Sequence, residues 1–178
     1  MKIVYRPLVR NECHRIKEID ASQYIGRAWR EVNGSRQLVE INYQEQGYPN
    51  GYENHLENLV KTVKAGGTAL GAWCEGRLAG FCTVNNDMFG DKYQYVLLDQ
   101  LFVTYNLRGQ GIGKALFLLA AKAAREKGAE KLYICAGSSE ETIAFYFAIG
   151  CEEAKEINHQ LYQLDPRDFQ MEFDIKRI

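Results

Sequence analysis

LFVTYNLRGQGIGKALFLL, residues 101–119, runs from an apolar strand-like segment through a turn into three alternating glycines at the mouth of a helical pattern. The first N–H groups of a helix have no partner inside it, and the helix dipole makes that end positive. Such a mouth is suited to holding an anionic group. Gly109, Gly111 and Gly113 carry no Cβ that would keep a phosphate from the backbone. Arg108 can add a charge-assisted bond, as can Lys114. Two familiar nucleotide loops do not fit. A P-loop has four residues between its glycines and then Lys-Ser or Lys-Thr, whereas Gly113-Lys114 is followed by Ala115. A Rossmann fingerprint needs glycine at 114, where lysine stands, and belongs near the first βα turn of a chain. A flexible helix entry that binds nothing is the remaining alternative, because short glycine motifs recur by chance.

Working outward, a helix over about 111–127 presents Ile112, Leu116, Leu119, Ala120 and Ala123 on one face and stops at Gly128. Upstream lie three strand patterns, TALGAWC, RLAGFCTV and YQYVLLDQLFV, the first two joined by a turn at Glu75-Gly76. Downstream, KLYICA (131–136) reads as a strand. Ser138 to Ile149 reads as a helix opened by a capping box of Ser138 and Glu141. Short strands near 151–154 and 159–164 follow, with a last one at 169–174. At the other end, KIVY reads as a strand, and Asn11 caps a helix bearing Cys13, Ile16 and Ile19 that ends near Asp20. Asn33-Gly34 centres a hairpin at about 25–44. A helix carrying Tyr52, Leu56, Leu59, Val60 and Val63 then runs to Gly66-Gly67. The order predicts one α/β domain over 1–178. Its mixed central sheet is antiparallel in the N-terminal half, has a β-α-β crossover after residue 94 and is flanked by about four helices, with an extra hairpin between the first two.

With 178 residues, 46% apolar and 25% charged, the chain can bury a single good core. Lys plus Arg total 22 against 23 Asp plus Glu, so no basic excess draws it to a phosphate backbone, and no nucleic acid partner is expected. No apolar run approaches membrane-spanning length and the N-terminus does not resemble a signal peptide, so the expectation is a cytoplasmic protein with no membrane partner. Cys13, Cys74, Cys82, Cys135 and Cys151 form no CxxC pair and read as reduced core thiols. His14, His55 and His159 show no ligand spacing, and no metal is expected.

Arg108-Gly109-Gln110-Gly111-Ile112-Gly113 resembles the acyl-CoA pyrophosphate loop of the GNAT superfamily of N-acetyltransferases: Arg or Gln, two residues, Gly, one residue, then Gly or Ala. The resemblance covers about residues 68–154 well and the N-terminal strand and helices by order, leaving the subfamily open. It implies a GNAT-like fold, acetyl-CoA as cosubstrate, and a cofactor-binding set running from Arg108 to Lys114. It also implies that the main chain of Leu101, Phe102 and Val103 pairs with the pantetheine arm at a bulge where the sheet splays. The segment SSEETIAFYFAIGCEEA (138–154) is similar to the family's later helix, with Tyr146 on its tyrosine and Gly150 on its glycine. Ser139 stands where Asn is usual and Cys151 where Phe is usual, so the cofactor contact through Ser139 has a shorter reach.

Chemistry gives Tyr146 a role. The leaving thiolate has a parent pKa of about 8.5, and a phenol near 10 can protonate it while staying protonated at neutral pH. Simple packing is the alternative for a tyrosine in an AFYF run. The acceptor amine must be neutral to attack, and deprotonating an alkylammonium at pH 7 costs roughly 4–5 kcal/mol. Asp99 interrupts the apolar run YVLLDQLFV, and burial there would raise its pKa toward that of a useful base. An ion-paired or capping carboxylate is the alternative. The implied oxyanion donor is a main-chain N–H near Val103.

The predicted hairpin lies where this family walls its acceptor site. Its charges are mixed, Glu31, Glu40 and Glu45 beside Arg27, Arg30 and Arg36, and they declare neither a cationic nor an anionic acceptor. Trp29, Tyr43, Tyr48 and Tyr52 either line a pocket or pack. The expected activity is acetyl transfer to a primary amine of a small molecule or peptide. A non-catalytic acyl-CoA sensor and a phosphate-binding scaffold are the competing readings. A homodimer is compatible with all of them.

Overall fold

The computed structural model describes residues 2–178. The N-terminal strand β1 (Ile3–Pro7) leads into a 3₁₀ helix, Arg10–Glu18. Two corrections apply here: the element is not an α-helix, and its cap is Val9 rather than Asn11. The reason is in the sequence. Cys13, Ile16 and Ile19 recur every third residue, which lines one face of a helix with three residues per turn. The hairpin follows as β2 (Gln23–Val32) and β3 (Ser35–Glu45), turned by Asn33 and Gly34, both at positive φ of 51° and 78°. Helix α1 (Tyr52–Lys64) comes next.

Strands β4 (Thr68–Cys74), β5 (Arg77–Phe89) and β6 (Tyr95–Val103) make the antiparallel meander. Helix α2 (Ile112–Glu126) crosses over to β7 (Lys131–Ala136), which pairs with β6 in parallel. Its buried stripe is Ile112, Leu116, Phe117, Ala120, Ala121 and Ala124, so Leu119 and Ala123 sit at the margin of the predicted face. Helix α3 (Glu140–Ala148) is capped by Ser139, whose Oγ accepts from Thr142 N–H at 3.3 Å. The expected Ser138 capping box is therefore displaced by one residue, because Ser138 Oγ instead accepts from Arg30 at 2.7 Å.

After β8 (Glu152–Glu153), residues 159–164 are not a strand but helix α4 (His159–Leu164), and β9 (Phe169–Asp174) closes the sheet. The cap decides the matter for α4: Asn158 Oδ1 accepts from Leu161 N–H at 3.1 Å. The seven-stranded order is β1-β4-β5-β6-β7-β9-β8, with β2-β3 a separate ribbon. Helices α2 and α3 cover one face over a core including Val96, Leu98, Leu132, Ile134 and Phe117. The 3₁₀ helix and α1 cover part of the other face through Ile16, Leu59, Phe81 and Trp73, and the apolar group Tyr95, Leu97 and Tyr133 continues it. Among the described residues no helix is long and apolar enough to cross a membrane.

Candidate functional site

Strands β6 and β7 pair from Tyr95↔Lys131 only as far as Leu98↔Ile134. Beyond that point β6 stays with β5 and β7 stays with β9, so the sheet opens into a wedge. The cause is a bulge. The β5 ladder steps from Thr83↔Gln100 to Val84↔Leu98, leaving Asp99 as the extra residue, and a bulge increases local twist and bends its strand away. The bulge also turns both Asp99 and Gln100 toward α1. Leu98 and Leu101 pack into the α2 core on either side, while Gln100 Oε1 lies 2.8 Å from His55 Nδ1 on α1. Thr104 N–H donates to the Ala79 carbonyl, so by the alternation of the antiparallel ladder the main-chain groups of Leu101 and Val103 face the wedge. Phe102 points its ring into the α1 core.

The glycine loop lies at the end of this strand. Arg108 Nε donates to the Val103 carbonyl at 2.9 Å, which ties the loop to the lip of the wedge. Burial pushes the Arg108 pKa down, against the pull of Asp20. Gly109 and Gly111 have φ of 75° and 83°, and no other group lies within 4 Å of where their Cβ atoms would stand. That leaves a cradle open above the N–H groups of Ile112 and Gly113 at the start of α2, the arrangement an anionic diphosphate requires. Gly113 serves packing as well, because a Cβ there would touch the Phe145 ring at 3.5 Å. The Gln110 amide bonds back to the Asn106 carbonyl at 3.5 Å, and Lys114 is exposed beside the mouth.

Tyr146 on α3 sits on the α2 side of the wedge, edge-on to Phe117 and Phe145 with centroids 6.2 and 5.1 Å away. It is 8% exposed, and burial above all holds its phenol far above the usual range. Its hydroxyl has no hydrogen-bond partner among the described residues. Asp99 occupies the opposite face. Its side chain reaches solvent, contrary to the expected burial, yet the surrounding protein still raises its pKa by desolvation, offset in part by His55 and Lys61. Ser139 is committed to its helix: Oγ donates to Thr142 Oγ1 at 2.8 Å while accepting the Thr142 N–H.

The hairpin docks on the open end of the wedge. Trp29 N–H donates to the Ser138 carbonyl at 2.8 Å, Ala28 bridges Ser139, and Trp29 stacks obliquely on Phe169 at 5.9 Å. Tyr48 and Tyr52 pack rather than line a pocket; their hydroxyls donate to the Ile16 and His14 carbonyls at 2.9 and 3.0 Å. Tyr43 is exposed.

Sequence reasoning missed several groups beside the wedge: His55, Gln100, Cys135, Asp168 and Gln170. His55 has both ring nitrogens engaged, Nε2 lying 2.7 Å from the Pro49 carbonyl. Asp168 is half-buried at the start of β9, and desolvation first, then Asp165, raises its carboxyl to about 6. The signal for these residues is strand register, which joins positions tens of residues apart.

Comparison with known proteins agrees with this architecture. The acetyltransferase (GNAT) family model matches residues 29–150. No curated protein matches the sequence. Among solved structures, a nourseothricin acetyltransferase is 20% identical with a TM-score of 0.73, the match covering 98% of this chain and 99% of that one. The PaiA N-acetyltransferase of Thermoplasma acidophilum, in complex with coenzyme A, is 18% identical with a TM-score of 0.63 over 98% and 99%. A Bacillus anthracis protein assigned as a streptothricin acetyltransferase, in complex with acetyl coenzyme A, is 17% identical with a TM-score of 0.68 over 97% and 96%. At these identities the likeness is one of fold.

Proposed function

The chain belongs to the acetyltransferase (GNAT) family, and from that premise we propose that it transfers an acetyl group from acetyl-CoA to a primary amine of a small molecule or peptide by direct attack on the thioester. The observation that carries this reading is the meeting, at one end of the sheet, of an open glycine-lined helix mouth with the wedge between β6 and β7.

When bound, acetyl-CoA supplies a thioester carbonyl open to nucleophilic attack. The N–H groups of Gly109, Gly111, Ile112 and Gly113 hold its diphosphate, with Gln110 shaping the loop and Arg108 and Lys114 adding positive charge. The main-chain groups of Leu101 that face the wedge pair with the pantetheine arm, the Val103 carbonyl being held by Arg108, and the Phe102 ring fixes the strand by packing. The Val103 N–H donates to the developing oxyanion. Ser139 contributes by setting the entry of α3, its hydroxyl being occupied.

Asp99 takes one proton from the acceptor ammonium on its face of the wedge, offsetting part of the roughly 4–5 kcal/mol that deprotonation costs at pH 7. The N–C bond forms as the C–S bond breaks. Tyr146, on the other face, delivers its proton to the leaving thiolate and is reprotonated by the proton lost from the new amide nitrogen, so one proton is released to solvent per turnover.

The test is thiol release from acetyl-CoA with a panel of polyamines, amino acids, aminoglycosides, streptothricin-type antibiotics and peptides, beside a thermal-shift titration with acetyl-CoA. Stabilisation by acetyl-CoA together with thiol release on amine addition is expected. Stabilisation without release across the panel would support a sensor, and no stabilisation at all would remove the assignment.

A further inference from the structure

The hairpin arginines are spent on partners outside the wedge. Arg27 is bidentate on Glu140 at 2.8 and 2.5 Å, Arg30 bonds Ser138, and Arg36 pairs with Glu153 at 2.9 Å while lying over the Phe169 ring. The mixed charges of the hairpin therefore resolve into cations used for docking. Two carboxylates beside the wedge, Asp99 and Asp168, have no ion-pair partner among the described residues. Arg167, next to Asp168, is held by Asp165 instead, at 3.0 and 2.9 Å.

These carboxylates share one face of the sheet. Pleating sets Tyr95, Leu97 and Asp99 on the face away from α2, the first two beside Tyr133, and the bulge brings Gln100 to the same side. Leu97 pairs with Tyr133, so along that face Asp99 is the next residue on the β6 lip of the wedge and Cys135 the next on the β7 lip, and Cys135 pairs with Gln170. Asp168 precedes Gln170 by two residues at the bend that leads into β9. Both carboxylates add to burial in raising the Cys135 thiol to about 12, which agrees with their flanking it.

A second observation points to a ligand there. Gln170 Oε1 accepts from Tyr133 Oη at 2.8 Å and from Cys135 Sγ at 3.5 Å, which fixes the amide. Its Nε2, on a residue 5% exposed, has no partner among the described residues. A buried donor left unpaired is costly, and this one belongs to the residue opposite Cys135, the thiol that both carboxylates flank.

We propose that the acceptor is a dicationic amine, its reacting ammonium at Asp99 and its second cation at Asp168, with the Gln170 amide facing the segment between them. The proposal rests on the acetyl-transfer reading above and names its substrate class. Asp99 stands on β6 and Asp168 just before β9, two strands away and two residues further along, which sets the two cations about 12 Å from one another. Asp168 is a positioning residue: it meets the distal cation and not the reacting atoms.

The experiment measures thiol release from acetyl-CoA with octamethylenediamine, octylamine and ω-aminooctanoate on the wild type, Asp168→Asn and Asp168→Lys. The wild type is expected to favour the diamine over the monoamine at least ten-fold in kcat/KM, through KM, with the preference shrinking as salt is raised. Asp168→Asn should collapse that preference, and Asp168→Lys should shift it toward the aminooctanoate. Equal use of diamine and monoamine by the wild type would overturn the proposal while leaving acetyl transfer intact. So would a wild-type preference for the aminooctanoate, or a loss in the variants that falls on kcat for every amine alike. Absence of thiol release with every amine would sink the acetyl-transfer reading and this inference with it. Thermal melts of the variants separate misfolding from these outcomes, and the salt dependence of the wild type stands independent of any variant.

Discussion

Replacing Tyr146 by Phe separates chemistry from packing more cleanly than any other change at this site. The ring is 8% exposed and wedged between Phe117 and Phe145, and Phe keeps all of those contacts. The hydroxyl has no partner among the described residues, so its loss breaks no hydrogen bond and folding stability should move by less than about 0.5 kcal/mol. A general acid is worth about 10²–10⁴ in rate, or roughly 3–5 kcal/mol of transition-state stabilisation at 1.36 kcal/mol per decade. The expected result is therefore a kcat reduced by about 10²–10⁴ with KM for acetyl-CoA near its wild-type value and an unchanged melting temperature. Because burial holds the phenol far above its ordinary pKa, the wild type should also show no alkaline loss from Tyr146 ionisation across neutral and mildly basic pH. Steady-state thiol release with the best amine of the panel, beside a thermal melt, measures all three. A variant turning over at the wild-type rate would refute the assignment of Tyr146 as the acid.

Two further outcomes follow from the geometry. Gly111→Ala should cost about 1–2 kcal/mol from the left-handed backbone alone, lowering the melting temperature by roughly 2–4 °C per kcal/mol, while weakening CoA binding at least ten-fold by calorimetry because its methyl group enters an otherwise open cradle. Glu172 is fully buried. Burial alone would push its carboxyl up, but Lys131, the Tyr95 hydroxyl at 2.5 Å and the Lys155 N–H at 3.0 Å hold it below the usual range. Such a group stabilises the fold above the unfolded carboxyl pKa of about 4.3 and loses that contribution as pH falls through the lower folded value. Glu172→Gln should thus cost about 3–5 kcal/mol in urea unfolding at pH 7 and flatten the acid limb below about pH 4.

Much of the fold was legible because its strands carry their own punctuation. The 68–74, 131–136 and 169–174 strands are bounded by turns or charges and appear with the predicted limits. Strand β5 outran its predicted end at Val84, since Met88 and Phe89 find partners in Val96 and Tyr95 that local sequence does not reveal. The 3₁₀ character of the first helix is written in the three-residue spacing of Cys13, Ile16 and Ile19, which is too short a run to separate from a period of 3.6. Residues 159–164 differ from the expected strand because, although Leu161, Tyr162 and Leu164 suit a strand locally, the Asn158 cap tips the balance to helix. In the site, the glycine loop could be found because one local segment makes both the turn and the helix mouth. The row through Asp99, Cys135, Gln170 and Asp168 could not, because parallel and antiparallel register bring it together from β6, β7 and the entry to β9.

The central claim is that the opening of α2 beside Gly109 and Gly111 grips the diphosphate of acetyl-CoA and so aims the thioester into the wedge past Leu98. A crystal structure of the protein with acetyl-CoA tests it most directly. The account predicts diphosphate oxygens within about 2.7–3.2 Å of the Gly111, Ile112 and Gly113 nitrogens, with the pantetheine arm along Leu101 and Val103. Coenzyme bound elsewhere on the chain, with this cradle empty, would contradict it.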